Sequence, residues 1–219
     1  MTDFVKAAAF AAKKTLALKG IKVQHGVALE IVAAFLGYRT YAALVADLGN
    51  QSLKYHLADA EVIVLDFEGG SSRLNELEVM QAFIAQDFID AIVNSRDFVY
   101  PDVHDFLNRY AQRELDDVIL SNEGVFEAVE HATGSEPFSV DVDSTWSFSN
   151  CLWTSVDTWV ISCFGTVVGL TERASPNNDD PVEEVRCSGW IKFAKAGRAG
   201  LIFQRSGGEA ASGEEYPLI

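Results

Sequence analysis

The chain has 219 residues, of which 48% are hydrophobic and 22% charged, with only five prolines. This composition excludes a disordered or fibrous chain, and no apolar run reaches the roughly 18–20 residues that a membrane-spanning helix requires. The three cysteines, Cys151, Cys163 and Cys187, are odd in number and widely spaced. That pattern predicts reduced thiols and a cytoplasmic protein, and the lack of a long apolar run predicts no membrane association.

Negative charge is concentrated in the middle of the chain. The formal net charge is −15, and residues 61–149 carry nineteen Asp and Glu against four Lys and Arg. Residues 1–60 are mildly basic, with a net charge of +3, and residues 150–219 have a net charge of −3. Because nucleic-acid affinity comes from cations that displace counterions from phosphate, direct binding of nucleic acid is not expected. The charge favours either solubility alone or attraction to a basic protein partner.

Residues 1–50 are predicted to form a helical module. The spacing of apolar residues predicts helices from about Asp3 to Leu18, from His25 to Leu36 and from Tyr41 to Leu48. Helices this short bury little surface alone, so they must pack on one another or on the rest of the chain. The face of the first helix that is predicted to be buried contains Phe4, Ala8, Ala11, Thr15 and Leu18.

Residues 51–135 are predicted to be mostly helical, with one strand. The β-branched run at 60–67 is typical of a buried strand, and Gly69-Gly70-Ser71-Ser72 after it is predicted to be a loop. Asn75 and Glu78 have the spacing of a capping pair, which predicts a helix from Asn75 to about Val93. Two more helices are predicted at about 102–120 and 123–132.

From Pro137 onward the apolar period changes from helical spacing to alternation. Residues 136–205 are therefore predicted to form an antiparallel β-region, with a loop at 173–181. The composition of residues 206–219 predicts a flexible tail. Helices first and an antiparallel sheet last predict an α+β fold.

Residues 10–46 contain a recognisable pattern, formed by His25, Ala28-Leu29-Glu30, Ala33, Gly37, Tyr41 and Leu44. In this pattern the stretch resembles the glyoxalase-related accessory domain of bacteria and plasmids, which usually has Trp at the position of Tyr41. The resemblance implies a bacterial or mobile-element context and supplies no catalytic residues. A metal-dependent glyoxalase needs His and Glu ligands from paired β-units, and residues 136–205 contain no histidine.

The sequence favours a non-catalytic protein that acts by protein–protein contact and needs no cofactor. A basic, nucleic-acid-handling protein is the expected partner, as for a counter-defence factor or an inhibitor that imitates nucleic acid. Carboxylates of the acidic middle segment are the predicted contacts. They are Asp87, Asp90, Asp97, Asp102, Asp105, Glu114, Asp116 and Asp117.

Two other classes of function are open. Asp66 and Glu68 follow a predicted buried strand, where two carboxylates can hold Mg²⁺, so a nuclease or phosphatase is the first alternative. The second is a DNA-binding regulator, in which the N-terminal helices contact phosphate. The predicted phosphate contacts are Lys13, Lys14, Lys19 and Arg39.

Overall fold

A computed structural model describes residues 3–79, 84–134, 136–169 and 184–210. It confirms the α+β fold, and none of the helices it describes is long and apolar enough to cross a lipid bilayer. The helices are α1 (Asp3–Leu18), α2 (His25–Phe35), α3 (Tyr41–Leu48), α4 (Phe67–Glu76), α5 (Ile84–Val93), α6 (Val103–Phe106), α7 (Gln112–Leu120) and α8 (Glu123–Thr133). The strands are β1 (Val62–Val64), β2 (Val99–Tyr100), β3 (Pro137–Phe148), β4 (Thr158–Gly169), β5 (Glu184–Ala196) and β6 (Gly200–Ala210). Their order in the sheet is β2-β1-β6-β5-β4-β3.

The chain divides into two compact units. Unit 1 comprises Met1–Phe106, Cys151–Thr158 and Ala194–Ile202, and unit 2 comprises Leu107–Asn150, Trp159–Phe193 and Phe203–Ile219. The first three helices therefore belong to a larger unit, whose core they share with residues up to Val99. This division differs from the four consecutive segments expected from the sequence.

The three N-terminal helices form where the sequence predicts them, but α1 buries a different face. Helix α1 packs against α2 and α5. Leu18, predicted to be buried, is 84% exposed. The prediction was wrong because alanines lie on several sides of α1, so the apolar pattern fits two faces one residue apart. The side chains that α1 buries are Val5, Ala8, Ala9, Ala12 and Leu16.

Helix α4 occupies the stretch that was predicted to be a loop. Asp66 is its N-cap, and the carboxylate Oδ1 accepts a hydrogen bond from the backbone N–H of Gly69 at 2.8 Å. A Cβ at Gly70 would lie 2.2 Å from the Phe35 ring, so this glycine allows α4 to pack closely on α2. The prediction of a helix from Asn75 to Val93 was also wrong about the start of that helix. Asn75 lies in the last turn of α4, which ends at Glu76, and α5 covers Ile84–Val93.

Strand β1 confirms the buried strand predicted at 60–67, although it is shorter. The register pairs Ile63 with Val99 in a parallel arrangement, and Val62 with Leu201 in an antiparallel one. The two-residue strand β2 was not predicted. The sheet is therefore mostly antiparallel, with one parallel pair in unit 1.

In unit 2, helices pack on the long antiparallel strands. The helix predicted at 102–120 is confirmed as α6, which belongs to unit 1, and α7, which belongs to unit 2, joined by a π-helical turn at Leu107–Ala111. A Cβ at Gly189 of β5 would lie 2.9 Å from side-chain atoms of Leu115 and Ile119, so this glycine lets α7 approach the sheet. Strand β6 extends to Ala210 and includes residues 206–210, which were assigned to a flexible tail. The predicted loop at 173–181 and residues 211–219 lie outside the described residues.

Candidate acidic binding surface

Helix α8 displays a row of glutamates that sequence analysis did not select. The helix begins at an N-cap, Asn122, whose side-chain oxygen accepts from the N–H of Val125 at 3.1 Å. It ends at Thr133, and its C-cap is Gly134, whose φ of 68° lies in the left-handed region that favours glycine. Val125 and Val129 are fully buried, and they fix which face of α8 meets the rest of unit 2.

Three carboxylates occupy an exposed face of α8. Glu123, Glu127 and Glu130 follow one another at four- and three-residue steps, which places them on one side of the helix. Within the described parts of the chain, no salt bridge joins any of the three to a cation. Like charges at this spacing destabilise a helix by about 0.2–0.5 kcal/mol per pair. We call these three residues the glutamate row.

The surroundings of the glutamate row in unit 2 are also acidic. Residues 107–150 carry nine Asp and Glu against two arginines. Of those arginines, Arg113 lies 3.6 Å from a carboxylate oxygen of its neighbour Glu114. The local potential is therefore negative, and it attracts cations over a distance of about a Debye length, roughly 10 Å.

The three predicted contacts in unit 2 differ in their environment. Asp117 is exposed, whereas Glu114 is half-buried beside Arg113. Asp116 is also half-buried, and its Oδ1 is buried without a hydrogen-bond partner in the part of the chain that the structure describes. Burial, followed by the charge of Asp117, raises the pKa of the Asp116 carboxyl above its usual range. Asp117 is therefore the most accessible of the three.

Asp116 lies close to the two buried cysteines of unit 2. Burial raises the pKa of the Cys163 thiol to about 12 and that of Cys187 to about 11, and the charges of Asp116 and Asp143 add to both increases. Thiols with such high pKa values stay protonated and are poor nucleophiles at neutral pH. The two cysteines are therefore part of the core, as small apolar residues.

The other five predicted contacts lie in unit 1, where several already have a local role. Asp87 accepts two hydrogen bonds from Lys19 Nζ, at 2.6 and 2.8 Å. Asp90 accepts from the side-chain amide of Gln86 at 2.7 Å. The Asp102 carboxylate accepts from the backbone N–H of Asp105 at 2.8 Å, in the first turn of α6. Asp97 is exposed, and Asp105 is half-buried.

The predicted metal ligands have a structural explanation. Asp66 caps α4 by accepting a hydrogen bond from the N–H of Gly69, which favours the ionised carboxylate. Burial and, to a smaller extent, the charge of Glu68 outweigh this hydrogen bond and raise the pKa of the Asp66 carboxyl. Glu68 is exposed in the first turn of α4, where a negative charge interacts favourably with the helix dipole. Over the described ranges of the chain, no three His, Cys, Asp or Glu side chains form a group that could hold a metal ion.

The predicted phosphate contacts do not all offer a free cation. Lys19 is engaged by Asp87. Lys14 and Arg39 are exposed, and Lys13 is half-buried on α1. The exposed positions of α3, which would be the reading helix, are mostly small apolar residues such as Ala42 and Ala46, and these have no groups that read base edges.

Lys195, the most unusual charged residue of unit 1, was also not predicted as a site residue from the sequence. Its side chain is 5% exposed, and Nζ donates to the backbone oxygen of Arg198 at 2.6 Å. Burial lowers the pKa of the Lys195 ammonium to about 7. The alternation of β5 contained the signal, because Lys195 has the same parity as the buried Ile191 and Phe193.

Comparisons of the chain with protein-family models, with curated proteins and with solved structures found no match.

Proposed function

We propose that this protein binds a basic protein partner through the acidic surface of unit 2, and that the glutamate row of α8 is central to the contact. The observation that supports the proposal is the set of three exposed carboxylates on one helix face, none of them in a salt bridge within the described residues. Their mutual repulsion costs stability, and a cationic partner would relieve it.

The expected interaction is electrostatic and depends on salt. Exposed charge pairs contribute about 0.2–1 kcal/mol each, so three contacts together contribute about 0.6–3 kcal/mol, which is a change in affinity of roughly threefold to 150-fold. Charges of this kind also accelerate association, because the negative field of residues 107–150 steers a basic partner toward the surface. Added salt should weaken both effects.

Two further considerations favour a partner that handles nucleic acid. Proteins that bind phosphate backbones have basic surfaces, and an exposed row of carboxylates complements such a surface. The resemblance of residues 10–46 to an accessory domain of bacteria and plasmids suggests a setting in which such proteins act against one another. A counter-defence factor that occupies a nucleic-acid-binding surface is the specific form of this proposal.

The test is a binding titration with poly-lysine as the probe, at low and at near-physiological ionic strength. The variant Glu123→Gln/Glu127→Gln/Glu130→Gln removes the glutamate row. The matched control, Glu68→Gln/Asp90→Asn/Asp97→Asn, removes three exposed carboxylates of unit 1 and changes the net charge equally. Circular dichroism checks that both variants keep the fold.

We expect the affinity of the wild-type protein for poly-lysine to fall as salt is added. The glutamate-row variant should bind poly-lysine roughly tenfold more weakly than the control variant does. Equal losses in the two variants would show that overall charge, and not this surface, attracts the probe. An affinity that does not change with salt would also contradict the proposal.

A further inference from the structure

Strand β3 is the last strand of the sheet on the side of unit 2. Among the described residues it pairs with β4 alone, and it is twelve residues long. An edge strand presents backbone N–H and C=O groups that can pair with another extended chain. Helices α7 and α8 pack against β3 and hold it in position.

We infer that the outer edge of β3 binds an extended, basic segment of the partner protein by strand addition. This inference rests on the proposed function and specifies how the partner is held. In strand addition, backbone hydrogen bonds supply affinity and alternate side chains supply specificity.

The regular part of β3 defines where the added strand would pair. Residues 139–142 pair one to one with 168–165 of β4, and a register shift follows between Val142 and Trp146. Asp141 lies in this regular stretch and is exposed, and Asp143 follows it, also exposed. Because side chains alternate along a strand, lysine or arginine at every second position of the partner segment would bring a cation near Asp141.

Two exposed aromatic side chains flank the acidic part of the edge. Phe138 is 63% exposed near one end of β3, and Phe148 is 43% exposed at the other. The ring of Phe148 stacks on that of the buried Trp159, with centroids 5.6 Å apart and planes 7° apart. A ring held in this way is a fixed platform for a cation or an apolar side chain of the partner.

Charge decides between the occupants of this edge. A second copy of β3 would bring carboxylates against carboxylates, and acidic side chains and an irregular register are known defences against such self-pairing. The two longest stretches of chain outside the described residues, 170–183 and 211–219, carry six Asp and Glu against one Arg. Neither offers the positive charge that Asp141 and Asp143 require, whereas a basic partner segment does.

The test compares two short peptides of equal charge and length. One alternates lysine with threonine and can form a strand, and the other alternates lysine with proline and lacks every second backbone donor. Affinity is measured by titration, and amide hydrogen exchange is measured along β3. The variant Asp141→Asn is compared with Asp117→Asn, which removes an exposed carboxylate of α7 in the same unit.

We expect the lysine–threonine peptide to bind about tenfold more tightly than the lysine–proline peptide and to slow amide exchange in β3. Asp141→Asn should weaken its binding more than Asp117→Asn does. Equal affinities with unchanged exchange in β3 would overturn strand addition. If, in addition, both peptides bound the glutamate-row variant more weakly than the wild type, the proposed function would stand but strand addition would not. If neither peptide bound the wild type, both proposals would fail.

Discussion

Replacing Lys195 with methionine is expected to raise the free energy of unfolding at neutral pH. The side chain is buried, and Nζ donates a hydrogen bond to the backbone oxygen of Arg198. Burial lowers the pKa of Lys195 from 10.5 to about 7, because the ammonium ion loses its hydration. The folded protein therefore binds this proton more weakly than the unfolded chain does.

The difference between the two pKa values sets the size of the effect. The two pKa values differ by about 3.5 units. This difference means that burial of Lys195 lowers the free energy of unfolding by about 5 kcal/mol at low pH, by about 4 kcal/mol at pH 7 and by about 2 kcal/mol at pH 9. Methionine removes this penalty but also removes the hydrogen bond to Arg198, whose loss costs about 1 kcal/mol. We therefore expect Lys195→Met to gain about 3 kcal/mol at pH 7 and about 1 kcal/mol at pH 9.

The lowered pKa of Lys195 and the raised pKa values of two cysteines also predict a stability maximum near pH 9 in the wild-type protein. Stability rises with pH wherever the unfolded chain binds more protons, which for Lys195 is the range from about 7 to 10.5. Above about pH 9 the thiols of Cys163 and Cys187 act in the opposite direction. Burial raises their pKa values to about 12 and 11, so they ionise first in the unfolded chain and lower stability.

The assay is urea unfolding followed by circular dichroism at several pH values between 7 and 9, with wild type, Lys195→Met and Lys192→Met. Lys192 is a half-buried lysine of the same strand, so its substitution is a control for the loss of one positive charge. The control should keep the wild-type rise of about 2 kcal/mol from pH 7 to 9, and Lys195→Met should lose it. Parallel profiles for wild type and Lys195→Met would refute the reasoning.

Three further outcomes follow from unit 1 and from the cysteines. Gly70→Ala should destabilise by about 1–3 kcal/mol in urea unfolding because its Cβ would overlap the Phe35 ring, whereas Gly26→Ala, with open space around its Cβ, should gain up to about 1 kcal/mol. Asp66→Ala should lower the free energy of unfolding by about 1 kcal/mol in the same assay, because α4 loses its N-cap. Asp66→Asn should keep most of that stability, since asparagine also caps helices, and equal losses in the two variants would contradict the capping role. A thiol reagent at pH 8 should modify the exposed Cys151 rapidly and reach Cys163 and Cys187 only on unfolding, and three equally fast thiols would show that the last two are accessible.

The N-terminal helices were predictable because their limits are set locally. Thr40, for example, caps α3 through a hydrogen bond from the N–H of Ala43 at 3.1 Å, and both residues are close in sequence. The buried face of α1 was not predictable in the same way. Alanine is compatible with either side of a helix, so the choice depends on contacts with α5, about seventy residues away.

The errors around α4 have a different physical origin. Gly69-Gly70 is typical of a loop, and the sequence gives no sign that Phe35 fills the space beside Gly70. The glutamate row, in contrast, could have been found from the sequence alone. Three glutamates, Glu123, Glu127 and Glu130, have helical spacing within a predicted helix. They were not selected because a count of charges over a whole segment does not show whether the carboxylates lie on one helix face or on several.

Some acidic residues of this chain stabilise the fold through hydrogen bonds or salt bridges, and others make no such contact. The structure distinguishes the two groups, whereas the sequence does not. In unit 1, Glu30 accepts from the N–H of Tyr41 at 3.2 Å and from Arg73 at 3.1 Å, and Asp47 accepts from the Tyr38 hydroxyl at 2.5 Å. Carboxylates engaged in this way lose part of their attraction for a partner, because their charge is already neutralised or their lone pairs are occupied. In unit 2 the glutamate row and Asp141 have no such contacts within the described residues, so their charges remain available to a cationic partner, unlike those of several carboxylates of unit 1.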